Sequence, residues 1–202
     1  MADPVAKNIL LLERDMTLGG DASVTSSLAE RLREKGREVM IFCSGGNGYA
    51  ALLDKGVKVI KYSRAMPAWL VGRGRKSNSA LTDFEPDLIH AQSRILSRIA
   101  KNLSARLNCP YVLTINDRIG KARALPLDRE RIKLIIAVND IVRQELISVA
   151  SIPEDMIRLI PKGVHPERFA DTLPFGNGAG PGNKTKGQNG SAQLVNGHVP
   201  VI

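Results

Sequence analysis

Short apolar runs along this chain alternate with longer segments in which apolar residues recur every three or four positions. The first run, residues 9–12, is followed by a loop that contains Gly19 and Gly20, and then by helical spacing over residues 24–32. A second apolar run covers residues 39–43. This order predicts a strand, a glycine loop, a helix and a second strand, which together make a βαβ unit.

The same alternation continues along the chain and predicts an α/β fold. Strands that alternate with helices form parallel sheets, so we expect a Rossmann-like, mostly parallel sheet with helices on both faces. Ligands of such sheets bind outside the carboxyl ends of the strands, so the loops at those ends are the candidate sites. The predicted strands cover residues 8–13, 38–43, 57–62, 87–92, 111–116, 134–139 and 156–162, and the predicted helices cover residues 22–35, 94–107 and 141–150.

Composition limits the class of protein and its partners. The 202 residues carry a formal net charge of +9, which suits phosphates, anionic lipid or nucleic acid. Aromatic residues make up only 4% of the chain, which argues against nucleic acid because base stacking needs aromatic rings. Cys43 and Cys109 lack metal-ligand spacing, and the N-terminus lacks a signal-peptide pattern, so we expect reduced thiols in a cytoplasmic protein.

Composition also predicts the domain organisation. Residues 1–173 carry the alternating pattern and are expected to form one domain. Residues 174–198 are rich in Gly, Asn and Lys and poor in large apolar residues, which predicts a flexible linker. The apolar run at residues 199–202 resembles the start of a further strand, and we interpret it as the beginning of a missing C-terminal domain.

The glycine pair is the first candidate for chemistry. Gly19 and Gly20 stand between a strand and a helix N-terminus, where the backbone can approach a phosphate. A tight turn without a ligand explains the same pair, so both interpretations stay open. A dinucleotide-binding oxidoreductase is disfavoured, because the G-x-G-x-x-G pattern is missing and Ser44 stands where an acid is needed after the second strand. No G-x-x-x-x-G-K-[ST] phosphate loop occurs.

Four segments in chain order resemble family 4 glycosyltransferases. The first is Gly19-Gly20 with the helical segment and Gly36 that follow it, and the second is PDLIHAQ at residues 86–92. The others are IIAVNDIVRQEL at residues 135–146 and IPKGVHPERF at residues 160–169, which resembles the family's crossing into its second domain. The resemblance extends over about residues 8–172.

The resemblance implies the N-terminal half of the two-domain GT-B fold. In that family the N-terminal domain mainly binds the acceptor, and the C-terminal domain binds most of the nucleotide-sugar. The reaction is a hexosyltransferase-like sugar transfer with retained anomeric configuration, usually without a metal, and the nucleotide-sugar is a substrate rather than a cofactor. By resemblance, Gly19 and Gly20 would face the donor diphosphate and His90 would lie near a sugar or lipid acceptor. A structural hydrogen-bonding role for His90 is the alternative.

Two departures from the family matter for catalysis. Many members have a histidine in a Thr-x-His pattern after the fifth strand, where this chain has Asn116, which cannot carry a proton. Asp117 is adjacent and is either a substitute for that histidine or an ordinary loop carboxylate. We also interpret the chain as a fragment that lacks the family's donor-binding domain, and we predict that it is inactive without a C-terminal domain supplied in cis or in trans. The rival interpretation is a non-catalytic binding or accessory domain that retains the fold.

A basic segment beside the only tryptophan is the last candidate. Trp69 lies close to Arg73, Arg75 and Lys76, and such a combination suits an anionic membrane surface, where tryptophan sits at headgroup level. An acceptor-side loop with solvated charges explains the same residues. The expected location is therefore the cytoplasm, with peripheral membrane contact as one alternative.

Overall fold

The computed structural model describes residues 6–17, 19–62, 79–120 and 125–163. All of these residues belong to one compact unit. Trp69, Arg73, Arg75 and Lys76 lie outside the described residues, as do the predicted linker and the apolar run at residues 199–202. Their predicted roles therefore stay predictions.

The predicted parallel sheet is confirmed. Within the described ranges, seven strands form one sheet in the order β3-β2-β1-β4-β5-β6-β7, and every neighbouring pair is parallel. Each observed strand lies within or overlaps a predicted one; β6 begins two residues earlier than expected, and β7 is shorter. The strands are β1 (Asn8–Leu12), β2 (Glu38–Cys43), β3 (Lys58–Lys61), β4 (Leu88–Ala91), β5 (Tyr111–Ile115), β6 (Ile132–Ala137) and β7 (Ile157–Leu159).

The three long predicted helices are present, with small shifts at their ends. The first begins two residues earlier than predicted, because the Ser23 amide already donates to the Gly19 carbonyl oxygen at 2.9 Å. Two further helices were not predicted, since elements of four and six residues are too short to show helical periodicity. The helices are α1 (Gly20–Glu34), α2 (Ala50–Leu53), α3 (Ser79–Phe84), α4 (Ser97–Leu107) and α5 (Asp140–Ser148), with 3-10 turns at Arg94–Leu96 and Glu154–Met156.

Both faces of the sheet are buried, which explains why the strands are apolar runs without alternation. On one face, Ile9 and Leu11 of β1 belong to a core that includes Ala29 of α1. On the other face, Leu10 and Leu12 belong to a larger core with residues of α4 and α5. Helices therefore cover both faces, as predicted, and they leave the edge formed by the strand ends free for loops.

The ends of the helices are set by local chemistry. Gly36 follows α1 with a φ of +74°, a left-handed conformation that glycine adopts without strain, and it turns the chain into β2. At the start of α5, the Asn139 side chain accepts a hydrogen bond from the Val142 amide at 2.9 Å. Both signals are local in the sequence, and they bring the strands into the sheet at defined points.

Candidate functional site

An open cavity of about 630 Å³ lies at the carboxyl ends of β1, β2, β3 and β4. Its walls come from the loops after β1, β2 and β3, the start of α1 and the turn before α4. Gly19 and Gly20 are part of this wall, so the glycine loop lies where ligands of such sheets bind. The lining residues are Arg14, Asp15, Thr17, Gly19, Gly20, Asp21, Ala22, Ser44, Tyr62, Ile95 and Leu96.

A buried carboxylate links the strand and the helix that flank the glycine loop. Glu13 is only 3% exposed; one oxygen accepts a hydrogen bond from the Thr25 hydroxyl at 2.7 Å and the other accepts from the Arg14 amide at 2.8 Å. Burial raises the pKa of Glu13 above its ordinary 4.5, the charge of Asp21 adds to the rise, and the two hydrogen bonds oppose it. Because Thr25 lies in α1 and Glu13 follows β1, this pair ties the helix to the strand on either side of the loop.

The loops after β1 and β2 are held together by their backbones. The Met16 amide donates to the Gly45 carbonyl oxygen at 2.9 Å, and the Gly48 amide donates to the Met16 carbonyl oxygen at 2.7 Å. Gly46 has a φ of +90°, and a Cβ built on it would lie 2.2 Å from the Met16 carbonyl carbon. Only glycine fits there. We call Glu13, Thr25, Met16 and Gly46 the glycine-loop cluster.

Two carboxylates near the start of α1 have polar partners. The Lys162 ammonium, in the segment after β7, contacts the Asp21 carboxylate in the first turn of α1. The Asp15 carboxylate accepts hydrogen bonds from the amide and the hydroxyl of Thr17. The segment after β7 therefore reaches back along the strand ends to the glycine loop.

His90 lies in β4 and is held by the neighbouring strand. Its Nε2 atom is 2.8 Å from the Thr114 hydroxyl of β5, and the side chain is half-buried. Burial lowers the pKa of His90 from its ordinary 6.5 to about 4, so the imidazole is neutral at physiological pH. A neutral imidazole can donate or accept a hydrogen bond but does not offer a proton as a general acid.

Asn116 and Asp117 follow β5 and meet two residues that follow β4. The Asn116 side-chain amide donates to the Gln92 carbonyl oxygen at 2.6 Å. The Asp117 carboxylate accepts a hydrogen bond from the Arg94 guanidinium at 3.0 Å, and Arg94 also reaches the Ile119 carbonyl oxygen at 3.4 Å. We call Gln92, Arg94, Asn116 and Asp117 the β4–β5 cluster.

Within this cluster, several buried polar atoms have no hydrogen-bond partner. They are the Nε2 atom of Gln92, the Nε atom of Arg94 and the Oδ1 atom of Asn116. Gln92 is only 5% exposed. Among residues 6–17, 19–62, 79–120 and 125–163, no other buried side-chain nitrogen or oxygen lacks a partner.

The sequence pointed to some of these residues and missed others. It singled out Gly19, Gly20, His90, Asn116 and Asp117, and all five lie in or beyond the strands whose ends form the edge. The glycines line the cavity, whereas His90 and Asn116 make their hydrogen bonds between β4 and β5. Glu13, Gln92 and Arg94 were missed, although a polar residue directly after an apolar run was a usable signal. The functional roles predicted for Gly19, Gly20, His90, Asn116 and Asp117 stay predictions.

Other classes of site are not seen in the described part of the chain. In those residues, no group of three or more His, Cys, Asp or Glu side chains has an arrangement that could hold a metal ion. No helix formed by the described ranges has the length and apolar character needed to span a bilayer. Cys43 and Cys109 are buried free thiols, and burial raises the pKa of each.

Solved structures with the same fold include glycosyltransferases. HepE from Anabaena, solved in complex with UDP and glucose, superimposes with a TM-score of 0.59 at 14% identity over 81% of this chain. A glycosyltransferase from Rickettsia africae gives 0.62 at 18% identity over 84% of this chain. The lipopolysaccharide outer core galactosyltransferase WaaB gives 0.52 at 12% identity over 77% of this chain. These likenesses show the fold, a Rossmann-like domain of the GT-B type.

The sequence comparison assigns the family. The model of Glycosyltransferase Family 4 matches residues 18–168. The chain belongs to glycosyltransferase family 4, as an N-terminal domain, and the resemblance noted in the sequence is confirmed. A search of curated proteins found no significant match. The chain spans slightly under half of the solved structures above, with 46%, 47% and 45% of their lengths covered.

Proposed function

We propose that this chain is the acceptor-side domain of a retaining glycosyltransferase that transfers a sugar from a nucleotide-sugar to a sugar or lipid acceptor. The observation that carries the proposal is the cavity at the strand ends, whose wall includes Gly19 and Gly20 at the start of α1. Membership of glycosyltransferase family 4 supports it. No cofactor is needed in this proposal, since the nucleotide-sugar is itself a substrate.

In this proposal, the glycine loop faces the diphosphate of the donor. Gly20 begins α1, where free backbone amides and the helix dipole favour a negative charge. The glycine-loop cluster keeps the loop in place without a ligand, because both Glu13 oxygens and the Met16 backbone are already hydrogen-bonded. HepE has been solved with UDP and with UDP-glucose, which makes a UDP-sugar the first donor to test.

The acceptor and the reacting sugar lie near the carboxyl ends of β4 and β5 in this proposal. His90 and Asn116 serve as neutral hydrogen-bonding groups, because His90 is uncharged at physiological pH and an amide does not titrate. Asp117 is the only carboxylate among the three predicted catalytic residues, and it is paired with Arg94. A metal has no part in this mechanism, and the charge that develops on the leaving diphosphate is stabilised by a C-terminal domain in cis or in trans.

The test is a transfer assay with a panel of nucleotide-sugars. We expect no turnover by the purified chain alone, and turnover when a family 4 C-terminal domain is fused to it or supplied separately. The Asp117→Asn variant of the fused protein tests the predicted carboxylate under the same conditions. Sugar transfer by the chain alone would contradict the proposal that a C-terminal domain is needed for the reaction. If the fused protein binds an acceptor in the absence of a nucleotide and transfers no sugar, a non-catalytic accessory domain is favoured.

We further propose that Trp69, Arg73, Arg75 and Lys76 bring this cytoplasmic domain to anionic membranes. The support is the composition of that segment, where bases flank a tryptophan, within a chain of net charge +9. Sedimentation with anionic and neutral liposomes at low and physiological salt measures the contact. Equal, negligible binding to both kinds of liposome would leave the acceptor-side loop as the explanation.

A further inference from the structure

Lys162 comes from the outer edge of the sheet and ends beside the cavity. It follows β7, the outermost strand, and β4, β5 and β6 lie between that strand and β1. The Ile160 amide still donates to the Ala137 carbonyl oxygen of β6 at 2.9 Å, whereas residues 161–163 are exposed. The Lys162 ammonium contacts the Asp21 carboxylate, 141 residues away in the sequence. Asp21 lines the cavity, so this ion pair brings an ammonium to the cavity wall.

The charges around the cavity decide whether an anion can bind there. The lining residues include two carboxylates, Asp15 and Asp21, and one guanidinium, that of Arg14. Asp21 directly follows the glycine pair, in the first turn of α1. Without Lys162, these side chains leave an excess of negative charge, which repels a diphosphate. The Lys162 ammonium cancels that excess at the point where the glycine loop meets the helix.

A purely structural role explains this ion pair poorly. The Lys162 side chain is 35% exposed and that of Asp21 is 53% exposed, and ion pairs as exposed as this contribute little to stability. Holding the long lysine side chain in one position also costs conformational entropy. The negative charge of Asp21 in the first turn of α1 interacts favourably with the helix dipole whether or not a lysine is present. The position of the ammonium beside the cavity therefore needs another explanation.

We propose that Lys162 is a binding residue for the donor diphosphate, and that Asp21 occupies it while the cavity is empty. A lysine ammonium has three N–H donors on a flexible stem, so it can turn from a carboxylate to a nearby phosphate oxygen. Asp21 is then an internal competitor, because it holds the ammonium at the wall and repels the incoming anion. This inference rests on the proposed function and adds a residue of the segment after β7 to the glycine loop.

The test measures the binding of inorganic pyrophosphate, without a metal, through the backbone amide signals of Gly19 and Gly20 in NMR titrations of the chain. We expect Lys162→Gln to weaken binding about fivefold to tenfold, because a charge-assisted hydrogen bond is lost. We expect Asp21→Asn to strengthen binding about threefold, because a like charge beside the ligand is removed. Both differences should become smaller at high salt, since these side chains are partly exposed.

Matched control variants remove the same charges elsewhere in the chain. Lys133→Gln lies at an exposed position of β6, and Asp140→Asn lies in the first turn of α5, as Asp21 does in α1. Neither control should change the affinity for pyrophosphate, which separates a local contact from a change in net charge. All four variants should melt within roughly 4 °C of the parent, which shows that the domain is folded in each titration.

The signs of the two effects distinguish the proposal from a structural ion pair. Equal affinities of Lys162→Gln and the parent for pyrophosphate would overturn it, and so would changes of the same sign in Lys162→Gln and Asp21→Asn. A shift of the Gly19 and Gly20 signals that does not depend on Lys162 would leave the proposed function standing. If these signals shift in no variant, Asp21→Asn included, the diphosphate role of the glycine loop is wrong and this inference is wrong with it.

Discussion

The glycine-loop cluster and the β4–β5 cluster lie along the same edge of the sheet and differ in how their buried polar atoms are partnered. In the first, both oxygens of buried Glu13 accept hydrogen bonds, from the Thr25 hydroxyl and the Arg14 amide. In the second, Gln92, Arg94 and Asn116 each carry a buried atom without a partner. The strand ends of one sheet thus carry one cluster whose buried polar atoms are hydrogen-bonded and one in which several are not.

The difference predicts opposite responses of the two clusters to substitution. Hydrogen bonds to every buried polar atom stabilise the first cluster, so removing one of them leaves a partner unpaired. In the second cluster, the unpartnered buried atoms are destabilising, so removing one of them relieves that cost. We therefore expect substitutions in the glycine-loop cluster to cost stability, and polar-to-apolar substitution in the β4–β5 cluster to increase it.

The largest expected loss of stability comes from Gly46→Ala. The new Cβ would lie 2.2 Å from the Met16 carbonyl carbon at a φ of +90°, so the loops after β1 and β2 would have to separate. We expect the free energy of unfolding to fall by about 3 kcal/mol or more, measured by urea denaturation. Gly45→Ala is the matched control, because a Cβ there meets nothing within 4 Å. Equal losses of stability for Gly46→Ala and Gly45→Ala would show that the close approach of Gly46 to Met16 does not determine stability.

A smaller loss is expected for Thr25→Val. The change keeps the shape of the side chain and removes the hydroxyl that donates to Glu13 at 2.7 Å. Because a buried carboxylate then loses a hydrogen bond, we expect a loss of about 2 kcal/mol in the same measurement. Thr25→Ser keeps the hydroxyl and should recover part of this stability. If Thr25→Val is as stable as the parent, the glycine-loop cluster is not held by this contact.

The most gradual effect is the pH dependence that His90 contributes. Its pKa in the folded chain is about 4, below the ordinary 6.5, so between these values the unfolded chain binds more protons than the folded one. Stability is therefore lost as pH falls from about 6.5 towards 4, by at most about 1.4 kcal/mol for each pH unit. Denaturation of the parent and of His90→Gln across this range should show a steeper acid loss in the parent. Parallel curves would contradict the assignment.

Glu13 contributes a pH dependence of stability that is opposite in sign to that of His90. Its pKa is raised in the folded chain, so the folded chain binds the extra proton, and the stability from this group is lost as pH rises above 4.5. In Glu13→Gln this part of the pH dependence should disappear, while the acid loss due to His90 remains.

The elements of the fold were predictable because their signals are local. The run from Ile9 to Leu12 is continuously apolar because β1 is buried on both faces, and that pattern is visible without a structure. The asparagine cap at Asn139 is likewise local. In contrast, α2 has only four residues, and a single turn of helix leaves no periodicity to detect.

The positions of the candidate residues were predictable, and their partners were not. The amino-acid sequence established the family, the strand succession, the strand that carries His90 and the loops that carry Gly19 and Asn116. Which side chains meet depended on the order and register of the strands: Asn116 reaches the Gln92 backbone across 24 residues because β4 and β5 are neighbours in parallel register. Hydrogen bonding between distant residues depends on this packing, and local periodicity carries no record of it.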